Sequence, residues 1–369
     1  MVQSASKCMD LLRRARVAFQ AGRTLKESFR LSQLEAVVRM VEEHECDFVD
    51  ALRKDLHKVR GMGSISTVVH KSTSLDDCVV ISEPLGVVFI MGTWCSPIQM
   101  CLGPLVGAIA AGGANAFIYS FTFSSHKLRQ DLTTDGVYLC RKLQKKILKM
   151  CFTFVECFLM LKDGCQSPGN REEGRRIAQA AARTFTPVTL ILGGKNPCYV
   201  DQHCDIATTA QRVAWARFHN AGQSLVAPDY VLCHRDVKVR LVQALKCCLD
   251  IFGPILPILT VNSVDEAIAF INKQEKPLCV YAYSSNSKVI SRLMSETSSG
   301  SFCSNDSVLQ SLMVALPFGG VGASGVGSYH GHYSFDTFSH RKSCLLRSTR
   351  FETWQHLDRP PLTAQLEQH

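Results

Sequence analysis

The chain has 369 residues, of which 46% are hydrophobic and 20% charged, and it carries a net charge of +9. This composition is typical of a soluble globular protein, and the length allows two domains with hydrophobic cores. No apolar run is long enough to span a bilayer, and residues 1–16 lack the layout of a signal peptide.

The 17 cysteines are scattered along the chain and never form a Cys-x-x-Cys pair. In a chain without a secretory signal, this pattern favours reduced thiols and a cytoplasmic location over a disulfide framework. His330 and His332 flank Gly331, but no cysteine pair at ligand spacing accompanies them. We therefore expect no metal site.

The first half of the chain begins with helical periodicity and continues into a βαβ pattern. Helices are expected within residues 11–57, and residues 59–71 read as a connection. A strand at 86–91, a loop at 93–97, a helix at 99–111 and a strand at 114–119 follow.

The second half of the chain alternates between helical and strand patterns. Helices are predicted over residues 127–150, 171–183, 205–219, 237–249, 264–273 and 288–297. Strands are predicted over residues 153–161, 188–192, 226–233, 255–261, 278–283 and 300–303. This alternation predicts an α/β architecture with mainly parallel sheets.

The densest cluster of basic residues lies in the predicted helix 127–150. It consists of Arg141, Lys142, Lys145, Lys146 and Lys149. These residues stand at helical spacing opposite apolar ones and have no interleaved aromatics, so a solvated helix face is expected rather than a nucleic-acid partner.

Several sequence blocks together resemble the aldehyde dehydrogenase superfamily, in particular the class 3 enzymes and their B-type members. The blocks are residues 23–58, 83–91, 192–200, 251–257 and 317–340. The resemblance implies an aldehyde dehydrogenase-like fold with a Rossmann-type cofactor domain, a truncated α/β catalytic domain and a C-terminal oligomerisation strand. The corresponding divisions are 1–75 (N-terminal helices), 76–194 (cofactor domain), 195–316 (catalytic domain) and 317–369 (C-terminal segment).

The chain is shorter than the family pattern at two places. A helical portion is missing between His57 and Glu83, and a large part of the catalytic domain is missing between Leu249 and Ile251.

Three positions that carry the family's chemistry are occupied by other residue types. The segment Asn220-Ala221-Gly222-Gln223 resembles the family's nucleophile turn, but Leu225 stands at the position of the attacking cysteine. Ile191 stands at the position of the general base, and Cys95 at that of the asparagine that holds the oxyanion. A leucine has no lone pair for covalent attack and an isoleucine cannot accept a proton, so we expect no aldehyde oxidation.

The resemblance also implies a cofactor, NAD or NADP. The positions that it assigns to cofactor binding are Trp94, Gly169, Gly174, Gly193, Asp250 and Phe252. The family's ribose-binding lysine and glutamate are replaced within Ile118-Tyr119-Ser120-Phe121, and Glu172 and Glu173 lie where a pyrophosphate is expected.

Three hypotheses follow for the function. The leading one is a catalytically inactive relative that forms a homo- or heterodimer with an aldehyde dehydrogenase subunit, using residues 333–346, which resemble the oligomerisation strand. The second is an active oxidoreductase of fatty or aromatic aldehydes with a replacement thiol. The third is a product that does not fold stably.

The C-terminal residues contain no lipidation signal.

Overall fold

The computed structural model describes residues 13–14, 17–22, 24–48, 78–92, 96–112, 116–119, 137–140, 156–161, 169–248 and 255–345. Its helices, in chain order, are α1 Glu27–Glu43, α2 Pro97–Ala110, α3 Gly169–Ala182, α4 Ile206–Phe218, α5 Lys238–Cys247, α6 Val264–Lys273, α7 Ser287–Glu296 and α8 Gly331–Thr337. Its strands are β1 Cys78–Pro84, β2 Val88–Met91, β3 Ala116–Tyr119, β4 Val137–Cys140, β5 Glu156–Leu161, β6 Val188–Leu192, β7 Pro197–Val200, β8 Tyr230–His234, β9 Ile258–Val261, β10 Cys279–Tyr283, β11 Ser301–Ser304, β12 Phe318–Gly319, β13 Gly325–Val326, β14 Ser328–Tyr329 and β15 Ser339–Leu345. No helix in these ranges is long and apolar enough to cross a membrane.

The first sheet has six strands in the order β13-β6-β5-β2-β3-β4. All neighbours pair in parallel except β13, which runs antiparallel to β6. All four side chains of β2 are buried, as a strand with both faces covered requires. The chain leaves β2 towards β3 and β4 on one side and returns to β5 and β6 on the other. The switch point therefore lies between β2 and β5.

The second sheet has five parallel strands in the order β11-β10-β7-β8-β9. The chain passes from the first sheet to the second between Leu192 and Pro197. One hydrophobic cluster contains Ile90 and Ile191 from the first sheet and Val231 and Tyr281 from the second. The two sheets therefore share one core, and the α/β fold class predicted from the sequence is confirmed.

The C-terminal segment contacts several parts of the fold. β13 extends the first sheet, β12 and β14 pair with each other, and β15 pairs antiparallel with β1, from Cys78 opposite Leu345 to Pro84 opposite Ser339. Residues 333–346, predicted as one strand, divide into the end of α8 and the strand β15.

The predicted helix 127–150 is wrong at its centre, because residues 137–140 form β4 in parallel register with β3. The apolar run that follows Gly136 completes the edge of the sheet, and this pairing overrides the local helical spacing. The basic cluster that begins at Arg141 lies outside the described residues.

The predicted strand 226–233 begins four residues late, at Tyr230. Pro228 and the hydrogen bonds of residues 225–229 hold that part as a loop. Residues 197–200 form the central strand β7, which is absent from the strands predicted above.

Candidate functional site

The turn that the sequence singles out lies at the carboxyl end of α4. Asp205 caps the start of that helix, where its Oδ1 accepts a hydrogen bond of 3.0 Å from the Thr208 N–H. The helix ends at Phe218, and a tight turn follows over His219–Gly222. The next strand, β8, begins at Tyr230, so residues 223–229 connect the turn to the second sheet.

The backbone of this turn has three consecutive residues with positive φ. Asn220 and Ala221 both have φ of 54°, and Gly222 has φ of 74°. Glycine adopts this region readily, asparagine tolerates it, and alanine does so only under strain. Two amide hydrogen bonds hold the turn: the Asn220 Nδ2 donates to the Gln223 carbonyl, and the Gln223 Nε2 donates to the Asn220 carbonyl, each at 3.0 Å.

Asn196, which lies just before β7, anchors the segment that follows the turn. Its Nδ2 donates to the carbonyl oxygens of Leu225 and Ala227, each at 3.0 Å. Its Oδ1 accepts from the Cys279 N–H of β10 at 3.0 Å, and its own N–H donates to the Asp229 carboxylate at 2.9 Å. One buried side chain therefore connects the loop to the second sheet, and its donors and acceptor are all used.

Tyr281 of β10 provides a second anchor from the same sheet. Its hydroxyl donates a short hydrogen bond to the Val226 carbonyl. The same oxygen accepts from the Gln310 Nε2 at 3.0 Å and from the Val308 N–H at 3.4 Å. Burial raises the pKa of the Tyr281 hydroxyl well above 10, so the proton that it donates to Val226 is retained.

The side chains at the two implied catalytic positions lie in one hydrophobic cluster. Leu225 is 5% exposed and Ile191 is 0% exposed, and both belong to the cluster that joins the two sheets. Ile191 stands in β6 between Met160 of β5 and Gly325 of β13. The sequence-predicted positions of nucleophile and base are thus both buried in the hydrophobic core that the two sheets share.

Gly325 explains how the C-terminal segment closes on β6 beside Ile191. Its φ is 137°, and a Cβ placed on it would lie 2.0 Å from the Leu190 carbonyl oxygen. A side chain at this position would therefore separate β13 from β6.

Three buried thiols of the second sheet are held in their neutral form. Burial raises the pKa of Cys279 to about 11 and that of Cys233 to about 12, and it raises the pKa of Cys198 still further. The Cys279 thiol accepts a hydrogen bond from the Ser301 hydroxyl at 3.1 Å. Since the thiolate is the nucleophilic form, none of these three groups is prepared for attack.

Only part of the implied cofactor site lies within the described residues. Trp94, Asp250 and Phe252 lie outside them, and so does Cys95, the implied oxyanion position. Gly169 begins α3, which follows β5 and so lies at the switch point of the first sheet, and Gly174 is buried within the same helix. Gly193 directly follows β6. The topology thus places these glycines at the carboxyl edge of the first sheet.

The residue types at the start of α3 do not fit the pyrophosphate of NAD or NADP. Glu172 and Glu173 lie within the first five residues of this helix. By residue type alone, two consecutive glutamates are an unfavourable choice at a helix start that is expected to bind a phosphate group, because both carry negative charge.

Sequence reasoning missed the functions of Asn196 and Tyr281 as anchors. Both lie in blocks or strands that the sequence identifies, yet their partners are between 27 and 83 residues away along the chain. The one local signal is a polar residue, Asn196, directly before a buried strand.

In the described ranges, no three or more His, Cys, Asp or Glu side chains are grouped so that they could hold a metal ion.

Comparisons with known proteins identify relatives along almost the whole chain. The sequence profile of the aldehyde dehydrogenase family matches residues 166–250 and 246–344. Aldehyde dehydrogenase family 3 member B1 of Homo sapiens is 37% identical, with 95% of this chain and 94% of the relative covered. The protein named "Aldehyde dehydrogenase, dimeric NADP-preferring" from Canis lupus familiaris is 36% identical, with coverage of 99% and 100%.

A solved structure gives the same result for the fold. The structure titled "Substrate bound state of Staphylococcus Aureus AldH" superimposes with a TM-score of 0.85 at 28% identity and covers 98% of each chain.

The alignment with the human relative extends over 457 positions, which exceeds the 369 residues of this chain, so that relative has segments that are missing here. The break in the family match at 246–250 coincides with the larger gap expected from the sequence. The chain therefore belongs to the aldehyde dehydrogenase family and is close to its family 3 members.

Proposed function

We propose that this chain is a folded, non-catalytic member of the aldehyde dehydrogenase family. The observation that carries the proposal is the burial of Leu225 and Ile191 in one hydrophobic cluster. The family's reaction, as the resemblance implies it, needs a thiolate at the first position and a carboxylate at the second. Two aliphatic side chains supply neither a nucleophile nor a proton acceptor.

Among the described residues discussed above, neither Ser224 nor the buried thiols support a replacement nucleophile. Ser224 is half-buried beside Leu225, but a serine hydroxyl needs an adjacent base, and the residue at the implied base position is Ile191. The buried thiols of Cys279 and Cys233 have raised pKa values and remain protonated near neutral pH. These two observations argue against the alternative of an active enzyme with a substitute thiol.

The assay that tests inactivity measures NADH or NADPH formation by the purified full-length chain with hexanal and with benzaldehyde. We expect no rate above the rate without protein. The matched comparison is a triple variant, Leu225→Cys, Ile191→Glu and Cys95→Asn, in which the implied catalytic groups are restored. Turnover by the unchanged chain that is abolished by alkylating its thiols would refute the proposal.

We further propose that the chain does not bind NAD or NADP with the affinity of an active family member. Support comes from the carboxylates Glu172 and Glu173 at the start of α3 and from the replaced residues at 118–121. A ligand at one hundred times its dissociation constant stabilises a native protein by about 2.7 kcal/mol. We therefore expect millimolar NAD or NADP to leave the melting temperature unchanged here and to raise that of the human family 3 relative.

The same melting experiment separates a folded non-catalytic protein from an unstable one. A single sharp transition is expected, because both sheets share one continuous core. A broad transition without a baseline would favour the unstable product, and a clear shift with dinucleotide would overturn the proposed loss of cofactor binding.

We also propose that the chain assembles with a second aldehyde dehydrogenase subunit. One relative carries the word "dimeric" in its name, and residues 333–346 resemble the family's oligomerisation strand. Co-purification with an active family 3 subunit, weakened when residues 339–345 are replaced by a Gly/Ser sequence, is the expected result. Failure of the two unchanged chains to co-purify would count against this role.

A further inference from the structure

Cys247 and Cys248 are the only two adjacent cysteines among the 17 of the chain. Cys247 is the last residue of α5, and Cys248 follows it with helical backbone angles, φ of −83° and ψ of −10°. Both are exposed, whereas Cys198, Cys233 and Cys279 are buried in the second sheet. Two thiols on neighbouring residues are therefore open to solvent at one end of a helix.

The two thiols are too close along the backbone for an ordinary disulfide. Consecutive Cα atoms are about 3.8 Å apart, whereas the Cα atoms that a disulfide joins are usually about 4.4–6.8 Å apart. An ion between the two sulfur atoms lengthens the link by one bond and so relieves this strain. Adjacent residues leave a helix about 100° apart, and rotation about each Cα–Cβ bond can turn both sulfur atoms towards one ion.

The type and number of these ligands decide which class of ion they suit. Thiolates are soft ligands and select copper(I), zinc and iron–sulfur clusters. Zinc takes four protein ligands in structural sites and three in catalytic ones. In the part of the chain that the structure describes, no three or more His, Cys, Asp or Glu side chains are grouped to hold a metal ion. A pair of thiolates instead suits copper(I), a soft cation that two sulfur ligands can complete.

We propose that Cys247 and Cys248 together bind one copper(I) ion at the carboxyl end of α5. Each thiol releases its proton to water and each sulfur atom forms one bond to the ion; no electron is transferred, so the step needs no oxidant or reductant. The carboxyl end of a helix disfavours negative charge. The ion cancels one of the two thiolate charges, and Lys246, the exposed basic residue of the same turn, opposes the remaining one.

The experiment measures how far copper(I) protects the two thiols from alkylation. The reduced full-length chain is mixed without oxygen with one equivalent of copper(I) as its acetonitrile complex, treated briefly with iodoacetamide, and mapped by mass spectrometry. A coordinated sulfur is no longer a free thiolate, so we expect labelling of Cys247 and Cys248 to fall about tenfold or more. Cys46 is the internal control, because it is exposed and has no cysteine beside it, and its labelling should not change. Equal protection of the pair by one equivalent of Zn²⁺ would overturn the choice of ion.

Single-cysteine variants test whether one ion uses both sulfur atoms. In Cys248→Ser, copper(I) is expected to leave the labelling of Cys247 unchanged, and in Cys247→Ser that of Cys248, since a single thiolate holds the ion weakly. The matched control Cys46→Ser should keep the protection of the pair, and the melting temperature of each variant verifies that it is folded. The proposal would be overturned by protection of Cys247 that persists in Cys248→Ser, by equal protection of Cys46, or by the absence of protection in the unchanged chain.

Discussion

Replacement of Asn196 by alanine tests whether this residue holds the loop that follows the turn. The change removes three side-chain hydrogen bonds, those to the carbonyls of Leu225 and Ala227 and that from the Cys279 N–H. Each bond contributes about 1 kcal/mol net, and a buried partner that is left unpaired adds to the loss. We expect the free energy of unfolding to fall by about 3–6 kcal/mol, a large part of the roughly 5–15 kcal/mol of a typical domain.

The assay is urea unfolding followed by tryptophan fluorescence, with the free energy extrapolated to water. The matched control is Asn272→Ala. Asn272 is exposed, and its Nδ2 donates to the Glu296 carbonyl at 2.8 Å. Because water replaces that bond, the control is expected to change the free energy by no more than about 0.5 kcal/mol. A loss below about 1 kcal/mol for Asn196→Ala would refute the reasoning that this side chain anchors the loop.

Three further predictions concern other parts of the fold. Gly325→Ala is expected to lower the free energy of unfolding by more than about 3 kcal/mol. The control Gly322→Ala should lower it by about 1 kcal/mol, because the nearest atom to its Cβ would be 3.6 Å away. Equal losses for the two variants would contradict the close approach of β13 to β6. With its pKa raised to about 11, the thiol of Cys279 has about one thiolate in a thousand molecules at pH 8, so we expect iodoacetamide to label it only after unfolding, as peptide mapping would measure. The hydrogen bond from the Thr208 N–H holds the pKa of Asp205 below its usual 3.8, so its stabilising effect is complete above that pH and is lost as the pH falls through the folded value. The difference in urea midpoint between the unchanged chain and Asp205→Ala should therefore shrink below pH 3.8, and a constant difference from pH 2 to 7 would contradict this assignment.

The sequence by itself determined the alternation of strands and helices and the residue types at the implied catalytic positions. Both follow from local information. Apolar periodicity identifies buried strands such as Val188–Leu192 and amphipathic helices such as Val264–Lys273, and the structure has both elements with the predicted bounds. The presence of Leu225 and Ile191 where a thiol and a carboxylate are expected is likewise visible without coordinates.

Only the tertiary structure decided where long-range contacts overrule local pattern. Residues 137–140 favour a helix by spacing, but pairing with β3 makes them a strand. Residues 226–229 favour a strand, but Asn196 and Tyr281, which are distant along the chain, hold their carbonyl groups in a loop. Local propensity is worth tenths of a kcal/mol per residue, whereas a buried hydrogen bond or a strand pairing is worth more.

The burial of the site and the exposure of the sheet edge also depend on tertiary structure. That Leu225 and Ile191 lie in one cluster follows from the packing of two sheets whose strands are far apart in sequence. That Leu259 is 40% exposed follows from strand order, because β9 stands at the end of the second sheet as the described residues form it. Strand order and burial arise from contacts between distant residues, and no local pattern of residue types encodes them.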